Sequence, residues 1–320
     1  MSRTVAVTGA TGFIGRALVL ALTANGWRVR ALRHTAVMPS EGDEDAVQWV
    51  TGALEDIESL RYLLQDVDAV VHCAGAVRGI SAAQFDRVNE QGVENLLAAA
   101  LAQETPPRFL SLSSLAAREP GLSYYAASKY KGEMVLLAAG DRIPWIVLRP
   151  PAVYGPGDRE LLPLFRLMAK GIAPLPGADA SRFSLIYVDD LVRALILCLE
   201  RRDIPMGRYE LDDGHPGGYC WKEIVQTIEA QCHRSVRRIA IPLWLLAAVA
   251  GVNSLLARMR GVAPMLTSGK VRELAHRDWV CDSTDWRRVS GWAPQISFAE
   301  GVRRTLGNGA PPQHKPQNMV

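Results

Sequence analysis

Short apolar runs alternate with stretches of helical periodicity through the first half of the chain. Arg3 to Thr8 is a β-branched run of the length that a strand covered on both faces requires. The runs Arg28–Leu32, Val47–Val50, Ala69–His72, Arg108–Ser111 and Trp145–Leu148 repeat that texture, with helical patterns between them. The first helix is predicted over Arg16–Asn25, stopped by Gly26. Such alternation predicts an α/β fold, a doubly wound parallel sheet whose ligands bind beyond the carboxyl ends of the strands.

Past Gly155 the pattern loosens. Prolines and glycines between Pro156 and Gly177 mark a loop-rich excursion, after which Phe183–Val188 reads as a strand running into a helix over Asp189–Glu200. In Ile239–Gly261, Pro242 suits a helix start and Leu243–Val252 is apolar on every face. About ten residues cannot span a bilayer, which needs roughly twenty. A helix apolar all round must bury itself in protein or meet a lipid surface. Three readings stay open: it packs in the smaller domain or at a dimer contact, its inward face roofs a pocket through Leu245 and Val249, or it lies at an interface marked by Trp244, Arg258 and Arg260. The stretch Gly307–Val320, rich in Pro, Gln and Asn, is expected to be a disordered tail.

Composition narrows the partners. The 320 residues carry 36 Lys and Arg against 33 Asp and Glu, and the arginines are scattered without aromatic interleaving. Nucleic acid is therefore not expected as a partner. The cysteines Cys73, Cys198, Cys220, Cys232 and Cys281 are widely spaced and form no Cys-x-x-Cys pair. Free thiols in a reducing compartment fit them better than disulfides or a metal site. The first strand starts almost at the N-terminus, which leaves no room for a signal peptide and gives a cytoplasmic expectation.

The chemistry begins at Gly9-Ala-Thr11-Gly12-Phe13-Ile14-Gly15, between the first strand and the first helix. There Gly9 permits a tight turn, Gly12 lets backbone approach a pyrophosphate, and Gly15 allows close helix–strand packing. The helix N-terminus presents free N–H groups and a positive dipole end to an anion. The next strand delivers Leu32-Arg33-His34, with no acid before Glu41. An acid there would bind a ribose 2′-hydroxyl, whereas Arg33 suits a 2′-phosphate, so NADP is the expected cofactor and NAD the runner-up. Downstream, Tyr125 and Lys129 stand four residues apart on one helix face, behind Ser111, Ser113 and Ser114. Tyr125 would donate a proton to a developing alkoxide; its phenol is a poor base near pKa ~10 unless a neighbouring charge, such as the Lys129 ammonium, stabilises the phenolate.

These segments, with Val70-Val-His-Cys-Ala-Gly75, Val88-Asn89, Leu112-Ser113-Ser114, Leu148-Arg149-Pro150-Pro-Ala-Val-Tyr154-Gly155, Tyr187-Val-Asp189-Asp190 and Gly291-Trp292-Ala-Pro294, carry a family resemblance. The chain resembles the extended short-chain dehydrogenase/reductases of the NAD-dependent epimerase/dehydratase superfamily, nearer the flavonol-reductase and 3β-hydroxysteroid-dehydrogenase-like branches. The resemblance runs to about residue 306. It implies a Rossmann domain over about 1–155 and 183–204, a smaller, mostly helical substrate domain over about 156–182 and 205–306, and a tail over 307–320. It further implies that Ser114 is the catalytic hydroxyl, with Ser113 nearer the cofactor, and that Lys129 also holds the nicotinamide ribose. Ala74 and Gly75 would lie near the adenosine, Pro150 and Val153 near the carboxamide. Asn89 would anchor the active-site backbone, Glu133 would hold its helix rather than move protons, and Asp190 would start one.

Departures refine the reaction. Where relatives carry Gly-Asp-Leu the chain has Gly52-Ala53-Leu54, leaving Leu54 or backbone to meet the adenine. Leu115-Ala116 follows Ser114 where dehydratases carry Asp-Glu, and Ala152 stands where sugar-nucleotide enzymes commonly have asparagine. The leading expectation is therefore an NADP-dependent reductase or dehydrogenase acting on an apolar or partly apolar carbonyl/alcohol pair. A nucleotide-sugar 4-epimerase with tightly bound NAD and a non-enzymatic nucleotide sensor or respiratory-complex accessory subunit are the alternatives. The expected partner is a small molecule, with a homodimer and peripheral membrane contact left open.

Overall fold

The computed structural model describes residues 3–34, 46–176, 181–260 and 266–307. Glu41, Gly261, the side chains of Arg258 and Arg260, and the tail beyond Gly307 fall outside that description. The first half runs β1 (Thr4–Thr8), α1 (Phe13–Ala24), β2 (Arg28–Arg33), β3 (Val47–Thr51), α2 (Ile57–Leu64), β4 (Ala69–His72), α3 (Ala82–Asn89), α4 (Gln91–Leu101), β5 (Arg108–Leu112), α5 (Tyr124–Ala139) and β6 (Trp145–Arg149). The rest runs β7 (Ala152–Tyr154), α6 (Leu162–Ala169), β8 (Ile172–Pro176), β9 (Arg182–Phe183), β10 (Leu185–Tyr187), α7 (Val188–Glu200), β11 (Gly207–Glu210), α8 (Trp221–Cys232), β12 (Arg237–Ile241), α9 (Leu243–Arg260), α10 (Ser268–Ala275), β13 (Asp278–Trp279), α11 (Thr284–Ser290) and α12 (Phe298–Leu306).

Among the described residues one sheet has seven strands, all parallel, in the order β11-β6-β5-β4-β1-β2-β3. Alternation within its strands sorts the core into two layers. Val5 and Val7 face α1 and α7, while Ala6 between them faces α2, α4 and α5. Helices cover both faces, so the strands read as continuous apolar runs rather than as alternating ones.

The turn between β1 and α1 explains its glycines by contact. Gly9 has φ +69°, and a Cβ on it would come within 2.5 Å of the Ala74 backbone nitrogen. A Cβ on Gly15 would lie 2.0 Å from the Gly9 carbonyl oxygen, so α1 rests directly on the turn. Helix α1 begins at Phe13, three residues before the predicted start, because Gly12 is its extended N-cap.

Other predicted boundaries also shift. The single strand expected over Phe183–Val188 is two short ones, β9 and β10, paired with β13 and β7. The expectation that everything from about Pro205 onward belongs to the smaller part is corrected by β11, which pairs in parallel with β6 at Gly207↔Ile146 through Glu210↔Arg149 and closes the sheet edge. Its four residues are too short and too polar to announce a sheet strand. Asp190 lies within the first turn of α7, buried, and accepts hydrogen bonds from the backbone N–H groups of Gln295 and Ile296 at 3.2 and 3.1 Å. It ties the segment before α12 to α7.

Replacing Gly15 with alanine forces its Cβ into the Gly9 carbonyl, an overpacking that costs about 1–3 kcal/mol. A urea unfolding midpoint that stays at the wild-type value in Gly15→Ala would contradict this contact.

Candidate active site

A cavity of about 2630 Å³ opens along the carboxyl ends of the sheet strands. Single small-molecule sites occupy roughly 300–1,000 Å³, so this one has room for a dinucleotide and a second ligand together. Its wall brings together Gly9, Thr11, Gly12, Phe13, Ile14, Gly15, Gly75, Ser113, Ser114, Tyr125, Lys129, Pro150 and Val153. The remaining sequence-predicted positions lie apart. Ala74 abuts Gly9 behind the wall. Leu54 is buried against Gly92, and its carbonyl accepts from the Asn95 side chain at 2.9 Å. Arg33, at the end of β2, places its guanidinium over the Trp49 ring, 5.8 Å from the centroid.

The residues present fit a dinucleotide. The glycine turn excludes side chains where a pyrophosphate would lie, and Gly12 caps α1 without any side-chain hydrogen bond. The first turn of α1 contains no acid, so its N–H groups and dipole end remain available to an anion.

Helix α5 carries Tyr125 and Lys129. Ser123 caps it, its hydroxyl accepting from the Ala126 N–H at 3.0 Å. Gly132 lets the helix touch α3: a Cβ there would stand 2.1 Å from the Asn89 carbonyl. The Asn89 side chain accepts from the Ala76 N–H at 2.9 Å and donates to the Ala76 carbonyl at 3.0 Å and the Ser128 hydroxyl at 2.8 Å. It thereby fixes the loop that follows β4 beside α5.

Ser114 follows β5 and opens a short helical turn, its hydroxyl accepting from the Ala116 N–H at 3.2 Å. Burial pushes the Tyr125 phenol up to about 12, while its hydrogen bond with Ser114 acts in the opposite direction. The upward direction corrects the lowering expected from Lys129. The ammonium is turned to the Leu112 carbonyl, 2.9 Å away, and burial outweighs the favourable contributions to the phenolate. Burial also lowers Lys129 to about 8, against the opposing pull of Cys73 and Glu133. A Cβ on Gly75 would lie 3.0 Å from the Lys129 Nζ, so the absent side chain gives that ammonium room. His72 is held near 3 by burial and by Lys129, and its Nδ1 lies 2.8 Å from the Thr8 hydroxyl. It is a packed, neutral core histidine.

Ser113 does not point at the cavity alone. Its hydroxyl donates to Glu133 at 2.5 Å. Sequence reasoning missed Glu273 altogether. This buried carboxylate on α10 bonds the Ser123 hydroxyl, takes the Lys270 ammonium at 3.1 Å, and raises the Tyr125 phenol. Nothing local marks it, because 150 residues separate it from Ser123 and only folding brings the two together. Helix α9 contributes to the cavity through Leu246 rather than through Leu245 and Val249, which are 42% and 44% exposed. The helix turns Leu246 and the buried Ala250 inward, about a quarter-turn around the helix from those two.

Residues 5–210 match the model of the NAD dependent epimerase/dehydratase family. The chain is 36% identical over 312 residues to a ceramide reductase of Caulobacter vibrioides, covering 91% of this chain and 96% of that protein. It is 28% identical to a 2-alkyl-3-oxoalkanoate reductase of Stenotrophomonas maltophilia, over 95% and 98% of the two chains. The fold superposes with a TM-score of 0.71 and 21% identity on a UDP-glucuronic acid 4-epimerase from Bacillus cereus in complex with NAD, covering 94% of each chain. With the glycine turn, the Ser114–Tyr125 pair and Lys129 on one cavity wall, the chain belongs to the NAD dependent epimerase/dehydratase family and is an NAD(P)-dependent oxidoreductase.

Proposed function

We propose that the protein transfers a hydride between NADP(H) and the carbonyl/alcohol of a long-chain, lipid-like molecule. One observation carries the reading: the Ser114–Tyr125 pair shares a cavity with Pro174, Pro176, Ile241 and Leu246, an apolar wall contributed by β8, β12 and α9. Apolar surface of this kind favours a hydrocarbon chain, which gains by leaving water. Two similar proteins bearing reductase names, for ceramide and for 2-alkyl-3-oxoalkanoate, support the same class.

When bound, the nicotinamide supplies the hydride. Gly9, Gly12, Gly15, Thr11, Phe13 and Ile14 would cradle the pyrophosphate side, with Pro150 and Val153 at the carboxamide. Arg33, at the end of β2, would take the 2′-phosphate, with Ala74, Gly75 and Leu54 bordering the adenosine. Lys129, with an ammonium open past Gly75, would hold the nicotinamide ribose. Ser114 would donate to the substrate oxygen and steady the charge that develops there. Tyr125, its phenol raised to about 12, stays protonated at neutral pH and delivers the proton in the reducing direction.

A panel of carbonyl compounds followed by nicotinamide absorbance tests the reading. Long-chain ketones should be reduced with added NADPH; turnover of UDP-sugars by protein carrying tightly bound NAD, without added cofactor, would overturn it. In the same assay Tyr125→Phe should lower kcat by about 10²–10⁴-fold with cofactor affinity nearly unchanged. Substantial reductase activity in that variant would remove Tyr125 from its role.

Arg33→Asp should weaken NADPH binding by about ten- to a hundredfold, the scale of a lost charged hydrogen bond, and reverse the preference toward NADH. Equal or tighter binding of NADH by the wild type would refute the NADP assignment. Lys129 bears on affinity as a function of pH. Its ammonium is present below about 8 and lost as pH rises through that value, so affinity for NADPH should fall across the same window. Fluorescence titration should show this limb in the wild type and a flat profile in Lys129→Ala.

A further inference from the structure

We propose that the outer face of α9 and β12 docks on an anionic lipid surface, and that the apolar wall it continues into leads a lipid-like substrate from that surface to the catalytic cavity. The second half of this statement rests on the function proposed above; the docking does not.

The anomaly is where α9 keeps its apolar side chains. Trp244, Leu245, Val249 and Val252 are 71%, 42%, 44% and 59% exposed. At about 100° per residue these four fall within an arc of roughly 140°. The opposite side is also apolar, with Leu246 on the cavity and Ala250 fully buried. A surface helix ordinarily turns one apolar stripe inward and a polar face to water. Here water meets a tryptophan and three aliphatic side chains.

The exposed face does not end with the helix. Just before Pro242, Ile239 of β12 is 43% exposed, and Ile172 of β8 is 42% exposed. The parallel register sets Ile172 beside Arg237, Pro174 beside Ile239 and Pro176 beside Ile241. Alternation puts these pairs on one face of the two strands. Pro174, Pro176 and Ile241 line the cavity, so an apolar strip runs from solvent at Ile172 and Ile239 to the site that holds Ser114 and Tyr125.

Charge selects the occupant. From Ala230 to Arg272 the chain has seven lysines and arginines and not one aspartate or glutamate, although 33 acids are spread over its 320 residues. Arg234, which lies against Gly171 next to Ile172, and Arg237, which shares the face of Ile172 and Ile239, are both exposed. Anionic head groups match that combination, each nearby arginine adding to the attraction. A second copy of the chain fits worse, since a two-fold contact through this face would set basic residues against their own kind. No described helix is long and apolar enough to cross a membrane, which leaves a helix lying in the interface with Trp244 at head-group depth.

Vesicle co-sedimentation of the full chain tests this. With roughly one part phosphatidylglycerol to two parts phosphatidylcholine, the wild type should pellet, and added salt should release it. The exposed double substitution Trp244→Ser with Val249→Ser, and separately Arg234→Gln with Arg237→Gln, should each weaken binding about tenfold or more. Wild-type protein left in the supernatant would overturn docking. So would vesicle binding that both variants retain, because the contact would then lie elsewhere. A wild-type dimer that Trp244→Ser converts to monomer, with no vesicle binding, would assign the face to a second copy and overturn the proposal. Docking that persists in a protein reducing no long-chain ketone would leave this inference standing and overturn only the substrate reading.

Discussion

Glu133 is 2% exposed, and its carboxylate accepts hydrogen bonds from Ser113 at 2.5 Å and from Arg149 at 2.8 and 2.5 Å. A charge buried that deeply is tolerable only when it is paired and its lone pairs are filled; stripping one partner from such a pair typically costs about 3–5 kcal/mol. The three residues lie on α5, just after β5 and at the end of β6, and each adjoins a residue of the cavity wall. Lys129 lies one turn before Glu133 on α5, Ser114 follows Ser113, and Pro150 follows Arg149. The buried pair thus sets the distance between the elements that carry Tyr125, Ser114 and Pro150. On the other side Gly132 and Asn89 bring α3 against the same helix. With α5 held from both sides, Tyr125 and Lys129 have little freedom to find other partners.

That rigidity has an electrostatic consequence. Packing α5 between β5, β6 and α3 removes water from Lys129 and Tyr125, lowering one toward about 8 and raising the other toward about 12. Both shifts come chiefly from burial. The ammonium is aimed at the Leu112 carbonyl, and beyond burial the phenol answers to Ser114 and to the carboxylates of Glu273 and Glu160. The Tyr125 phenol therefore keeps its proton at neutral pH. The same cavity is walled at its far end by β8, β12 and α9, whose outer side is also apolar. A reductase whose substrate dissolves in lipid gains from such an arrangement, because the chain never has to cross water between its source and Ser114.

The sequence by itself was enough for the parallel sheet and the position of its crevice. Parallel strands are buried on both faces, which makes each a continuous apolar run, and the runs Ala69–His72 and Arg28–Leu32 fall within a residue of the observed strands. The glycines at 9 and 15 were legible because steric exclusion is a local property of the residue type: a turn at positive φ and a close backbone approach admit no side chain, while a Cβ at Gly12 would meet a tight 3.1 Å contact with the Gly9 carbonyl. Tyr125 and Lys129 were legible because helical spacing alone puts them on one face.

What only the tertiary structure decided involves partners distant in the chain. The edge strand β11 exists because β6 offers it a ladder, not because Gly207–Glu210 favours extension. Glu273 enters the site through Ser123, 150 residues away, and Asp190 becomes an anchor only when Gln295 and Ile296 reach it. Leu54 turned inward because Gly92 left it a place in the core. The apolar run of α9 could not announce its own inside, since a helix hydrophobic on all sides carries no moment to orient it; the neighbouring elements chose Leu246 and Ala250 and left Trp244 in water. Local sterics and periodicity are written residue by residue, whereas burial and charge compensation are properties of what the chain folds against.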